Sequence, residues 1–259
     1  DGSLVATACE DKKLRFVDVA SREVVRVVER GDGLLAVAFN HDGSLVATGG
    51  ADNKLRLVDV ESRAVVREVL HGGPVFAVSF NHDGSLIATG GQDGILHLVE
   101  AASGAVVCEV EHKSPIRTVA FKHDGSLIAT GSEDGKLRLV EEASGAVVRE
   151  VEHRDSVQAV AFNHDGSMVA TGTRKKLCLV KVASGEVIRE VEHGGSVLAV
   201  AFNYNGTLVA TGSEDKRFRL VKVASGAVVR EVDYGERVTS IAFNHDGSLV
   251  ATGSEDKKL

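Results

Sequence analysis

One phrase, written again and again, constrains this chain more than any other feature of it. Asp1-Gly2-Ser3-Leu4-Val5-Ala6-Thr7 returns unchanged at 42–48 and 246–252, with one substitution each at 83–89, 124–130 and 165–171, and as Asn-Gly-Thr-Leu-Val-Ala-Thr at 205–211. The steps between copies are 41, 41, 41, 41, 40 and 41 residues, so the chain holds six full periods and a short partial seventh. A fixed period of this length means that each copy is one supersecondary unit, and that the copies bury a core only against one another.

Each period reads as four short strands. Val157–Phe162 is an apolar run and Asn163-His164-Asp165-Gly166 a turn in which glycine supplies a positive φ. Ser167–Thr171, Leu177–Val182 and Glu186–Val191 follow, separated by further turns. The inner strands are apolar on successive residues, which demands cover on both faces. The last strand carries Arg-Glu pairs at 149–150, 189–190 and 230–231, as an edge kept from pairing with other molecules would. A helical solenoid is excluded by the β-branched residues, the frequent glycine turns and the lack of a 3.6-residue stripe. Four-stranded units at a period near 41 predict an all-β propeller. Seven blades with incomplete closing blades are expected, with six as the alternative. The expected organisation is one propeller over 1–259, with repeats starting near 1, 42, 83, 124, 165, 205 and 246, as a segment of a longer chain.

Composition narrows the partners. Thirty Lys and Arg against 37 Asp and Glu leave −7, a poor balance for wrapping phosphates, so no nucleic-acid partner is expected. No apolar run reaches the roughly 18 residues of a membrane span, so no membrane insertion is expected either. Three cysteines, Cys9, Cys108 and Cys178, form no even framework and read as small hydrophobes of an intracellular, cytoplasmic chain.

From His112 to Gly125, and on through Leu127-Ile128-Ala129-Thr130-Gly131-Ser132-Glu133-Asp134-Gly135 to Val140, the repeat resembles the WD40 family, landmark by landmark. The departures are consistent. The family's strand-c tryptophan is valine at 17, 58, 99, 140, 180 and 221, and the following aspartate survives only as Asp18 and Asp59. Arg30 and Tyr234 stand where four other repeats have a loop histidine. The resemblance implies hydrogen-bond networks His71–Thr89–Asp93, His112–Thr130–Asp134 and His193–Thr211–Asp215, each without its indole donor. His153 has Thr171 but no turn aspartate, because a one-residue deletion leaves Thr173-Arg174-Lys175-Lys176 there. Blades without these bonds are expected to lean on apolar packing.

Reactive chemistry finds no foothold. Ser/Thr, His and Asp recur alike in repeat after repeat, whereas a catalytic triad needs one copy equipped differently. The Asn-His-Asp turns at 40–42, 81–83, 163–165 and 244–246 read as turn formers on one face, their histidines a blade apart and too distant to share a tetrahedral metal ion. No metal or cofactor is therefore expected. His97 reads as a strand residue, and Phe39, Phe80, Phe121, Phe162, Phe202 and Phe243 as core anchors. The family resemblance places three variable positions per blade on a partner-binding top face. Here they include Pro74, Pro115 and Arg237; Leu35, Phe76, Arg117, Gln158, Leu198 and Thr239; and Glu10, Gln92 and Glu133. It implies a non-catalytic scaffold binding other proteins by the rim and top face, in a large complex. The alternatives are a sensor or structural domain of a larger protein and, remotely, a propeller hydrolase.

Overall fold

The computed structural model describes residues 3–8, 12–29, 33–244 and 247–255. Cys9, Glu10, Arg30, His245 and Asp246 lie outside them. Every described pairing is antiparallel, no helix occurs among the described residues, and the chain divides into two compact halves.

The first half comprises Asp1–Phe121 with Glu142–Ala146. It opens with β1 (Leu4–Ala8), β2 (Lys13–Asp18) and β3 (Val24–Glu29), a three-stranded sheet in that order. Next come β4 (Leu34–Phe39), β5 (Leu45–Gly50), β6 (Lys54–Asp59) and β7 (Val65–Leu70), and then β8 (Val75–Phe80), β9 (Leu86–Gly91), β10 (Ile95–Glu100) and β11 (Val106–Glu111), each set a four-stranded meander. β12 (Ile116–Phe121) is its last strand.

The second half holds Lys122–Glu141 and Val147–Leu259. Its strands are β13 (Leu127–Ser132), β14 (Lys136–Glu141) and β15 (Val147–Glu152), then the sheet β16 (Ala159–Phe162), β17 (Met168–Gly172), β18 (Lys176–Lys181) and β19 (Val187–Glu192). The sheet β20 (Val197–Phe202), β21 (Leu208–Ser213), β22 (Arg217–Lys222) and β23 (Val228–Asp233) follows, and then the pair β24 (Val238–Phe243) and β25 (Val250–Ser254).

The fold is that of propeller blades, with strands a to d in chain order. Among the described residues six hairpins of strands c and d are present, β2–β3 through β22–β23, so the six-blade alternative fits, and the preference for seven is corrected. The seventh register reaches only β24–β25 among the described residues, a pair whose first strand packs against the preceding blade. Strand β16 is shorter than its sequence suggests. The Val157 amide donates to Ser132 O (3.1 Å) and that of Gln158 to Gly172 O (2.8 Å), outside the regular ladder.

The core lies between sheets. Leu14 and Phe16 of β2 meet Leu34, Val46 and Val58 of the next sheet. Ala47, Leu55 and Leu57 meet Ile87 and Val99 one blade on, and Leu177 and Leu179 meet Val197, Val209 and Val221 in the second half. Each fully buried side chain of this kind is worth roughly 1.5–3 kcal/mol. The strand-c valines at 58, 99, 140, 180 and 221, in the tryptophan's place, are all completely covered. The repeated phenylalanines are half-buried at the margin of these clusters, while Phe16 is fully enclosed.

Close approach of neighbouring strands requires glycine at one repeated position. A Cβ on Gly49, Gly172 or Gly212 of strand b would fall 2.6–2.7 Å from the backbone oxygen of Val75, Val197 or Val238 on strand a of the following blade. The Thr-Gly at the end of each repeated phrase is therefore a packing requirement as well as a turn signal.

Candidate functional site

The turn between strands a and b is built identically in each half. Asn40 Oδ1 accepts the Leu45 amide at 2.9 Å, Asn40 Nδ2 donates to Ser44 Oγ at 3.1 Å, and Asp42 Oδ1 accepts the Ser44 amide at 2.8 Å. Gly43 completes the turn at a φ of 74°. Asn163, Asp165 and Ser167 repeat the pattern in the second half. Where Lys122 replaces asparagine, its ammonium donates to Asp124 Oδ2 at 2.7 Å, and with Ser126 it holds that carboxyl at about 2.

These turns present their histidines to solvent in contact with one another. The His41 and His82 rings lie 4.5 Å apart, centroid to centroid, in the first half. In the second half His123 and His164 are also 4.5 Å apart, and Tyr204 continues the row 4.3 Å from His164. The expectation that successive copies stand too far apart to share a ligand is thereby corrected, because the close approach of strands at the blade centre brings their adjoining turns together as well.

The buried polar positions behave partly as the repeat implies. His71 Nε2 lies 2.7 Å from Thr89 Oγ1, and His193 Nε2 lies 2.9 Å from Thr211 Oγ1. Asp93 and Asp215 do not bond these rings. They accept the backbone amides of Gly72 (3.1 Å) and Gly194 (2.9 Å), fixing the loop that carries each histidine. His112 and Thr130 are both buried, and Asp134 serves an arginine. His153 reaches Thr171 at a looser 3.4 Å, and the Tyr234 hydroxyl takes the histidine's place by accepting from Thr252 Oγ1 at 3.0 Å.

The blades do not fall back on apolar packing alone. A buried arginine on strand c, two residues before the valine, binds the turn aspartate and a strand-d glutamate. Arg138 donates to Asp134 Oδ2 (2.6 Å), Ser132 Oγ (2.9 Å) and Glu150 Oε1 (3.0 Å). Arg219 meets Asp215 (2.7 Å) and Glu231 (2.6 Å), and Arg56 meets Asp52 and Glu68. Burial alone would raise the Asp134 carboxyl, but the Arg138 guanidinium outweighs it and holds that carboxyl below the ordinary carboxylate value. The spacing Asp, Arg at +4, Glu at +16 was legible in three repeats. Its exceptions are informative. The repeat with Cys178 in the arginine's place has also lost the aspartate, and the Cys178 thiol is pushed up to about 11 by burial.

Strand d is likewise more than a solvated edge. Arg67 donates to Ala102 O (2.9 Å), Arg149 to Ala183 O (2.7 Å) and Ser184 O (3.0 Å), and Arg189 to Ala224 O (2.9 Å). Each such arginine therefore ties its blade to the c–d turn of the next.

At the variable positions of the first half, Leu35 is exposed and Phe76 half-buried, and the Arg117 guanidinium lies 4.5 Å over the Phe76 ring. Pro74 and Pro115 are half-buried and Gln92 is exposed. In the second half Gln158 Nε2 donates to Ser156 Oγ (2.9 Å), Leu198 is half-buried, and Thr239 Oγ1 donates to Gly253 O (3.3 Å). Arg237 lies 3.8 Å from both Glu214 and Glu255, and Glu133 is exposed. Among the described residues no group of three or more His, Cys, Asp or Glu is arranged to hold a metal ion.

Two outcomes follow from this polar framework. Replacing Arg138 by Cys strands Asp134 and Glu150. It is expected to cost about 2 kcal/mol, less than the roughly 3–5 of a fully buried pair because Glu150 is 41% exposed. Adding Asp134→Asn, which removes the stranded negative charge, should recover part of that loss, and a double-mutant cycle by urea denaturation measures the coupling. The second outcome concerns pH. Burial holds His71, His153 and His193 below their ordinary value of 6.5, so the unfolded chain takes up protons that the folded chain refuses. Stability is therefore complete above pH 6.5 and declines as pH falls below it. Melting at pH 7.5 and 5.5 should show a drop that is smaller in His193→Gln than in the parent.

Two protein-family models match the chain. The WD domain, G-beta repeat model covers residues 23–59, 65–99 and 105–141, and the Anaphase-promoting complex subunit 4 WD40 domain model covers 161–246. No curated protein matches it. With its repeats, blades and turn network in register with those models, the chain belongs to the WD40-repeat β-propeller family.

Proposed function

We propose that this chain is a non-catalytic scaffold that binds other proteins through the variable residues at the ends of its strands a. The observation that carries the reading is the Phe76–Arg117 pair. Leu35, Phe76 and Arg117 are each the second residue of β4, β8 and β12, in a column where neighbouring positions hardly vary between repeats. An aromatic ring capped by a guanidinium, beside half-buried prolines, has the chemistry that dominates protein interfaces. In the second half Gln158, Leu198, Thr239 and Arg237 occupy the equivalent positions. WD40 propellers generally serve as interaction scaffolds, and one matching model is described as a domain of an anaphase-promoting complex subunit, which supports a multi-subunit assembly as the setting. The free thiols of Cys108 and Cys178 suit an intracellular location.

The test is affinity capture from the source cells with the parent and a Leu35→Ala/Phe76→Ala/Arg117→Ala variant of unchanged melting temperature. The variant is expected to lose its specific partners. An undiminished partner set would assign binding elsewhere.

A further inference from the structure

The solvent-exposed imidazole pairs stand on the a–b turns, outside the variable column. His41 and His82 in the first half, and His123 and His164 in the second, are carried on turns fixed by asparagine or lysine, aspartate and serine bonds. We propose that each pair is a two-imidazole site for a divalent transition-metal ion of the copper class, with solvent completing the coordination sphere.

The distance suits this. With metal–nitrogen bonds of about 2.1 Å and a ring centre about 1.1 Å beyond, two imidazoles meeting at about 90° place their centroids about 4.5 Å apart. Both pairs stand at that spacing, with ring planes inclined by 58° and 43°. The rings reach it before any ion arrives, so little side-chain ordering remains to oppose binding. Imidazole nitrogen favours copper, nickel and zinc over calcium or magnesium, and Cu²⁺ stands highest in the divalent series. The charged neighbours are the carboxylates Asp42 beside His41, Asp83 beside His82, Asp124 beside His123 and Asp165 beside His164, together with Lys122, whose ammonium pairs with Asp124. Their net negative charge favours a cation, more strongly at the His41–His82 pair, whose turns carry no lysine. Each bound ion would bridge two consecutive blades, so binding and folding are coupled.

Titration calorimetry of the tag-free chain with CuCl₂ at pH 7.5, in a buffer that does not bind copper, tests the proposal. About two ions are expected per chain at micromolar affinity, with a raised melting temperature. His41→Gln should remove one ion, and His41→Gln/His164→Gln both, with the apo variants melting as the parent does. Electron paramagnetic resonance should show two nitrogens on each copper. A stoichiometry indifferent to both substitutions, no saturable binding, or one nitrogen per ion would overturn it.

Discussion

Burial of strand faces between consecutive sheets is the constraint on which the rest of this molecule depends. A single four-stranded sheet of this sequence has apolar residues on both faces and no way to cover them alone. Valine and isoleucine on strand b, and leucine on strand c, find that cover only in the next copy, which is why the sequence repeats. The fit is close enough that strand b must carry glycine at Gly49, Gly172 and Gly212, opposite the following strand a. Because the framework is fixed by these contacts, residues at strand ends and turns vary without endangering it.

Polar groups then reinforce what packing has placed. A family repeat without its indole loses a donor within the blade. Here the strand-c guanidinium reaches the turn aspartate from a different position and collects a glutamate from strand d, while valine fills the apolar space. Arginine is suited to this because its planar fork serves two carboxylates at once and stays charged when buried. The second arginine set, on strand d, works between blades by capping carbonyls of the next c–d turn.

The fold was legible in the sequence because periodicity survives any local ambiguity. Seven copies of one phrase and an apolar run for each strand leave few architectures. The blade count was less legible, since a partial repeat at each end reads equally as a blade or as part of one, and only strand pairing separates the two. The arginine network went unread because Asp134, Arg138 and Glu150 sit on three different segments, each with an ordinary surface reading. The histidine contacts were misjudged for a related reason: sequence spacing gives the distance along the chain, whereas adjacent strands a bring turns 41 residues apart into ring contact.

Native-state hydrogen exchange followed by mass spectrometry tests the dependence on inter-sheet burial most directly. Amides of the covered b strands, Val46–Gly49, Ile87–Gly90, Val169–Gly172 and Val209–Gly212, should exchange slowest, only through global opening, while the edge strands Val65–Leu70, Val106–Glu111 and Val228–Asp233 exchange orders of magnitude sooner. Equal protection of edge and covered strands, or rapid exchange of the b strands, would contradict the account.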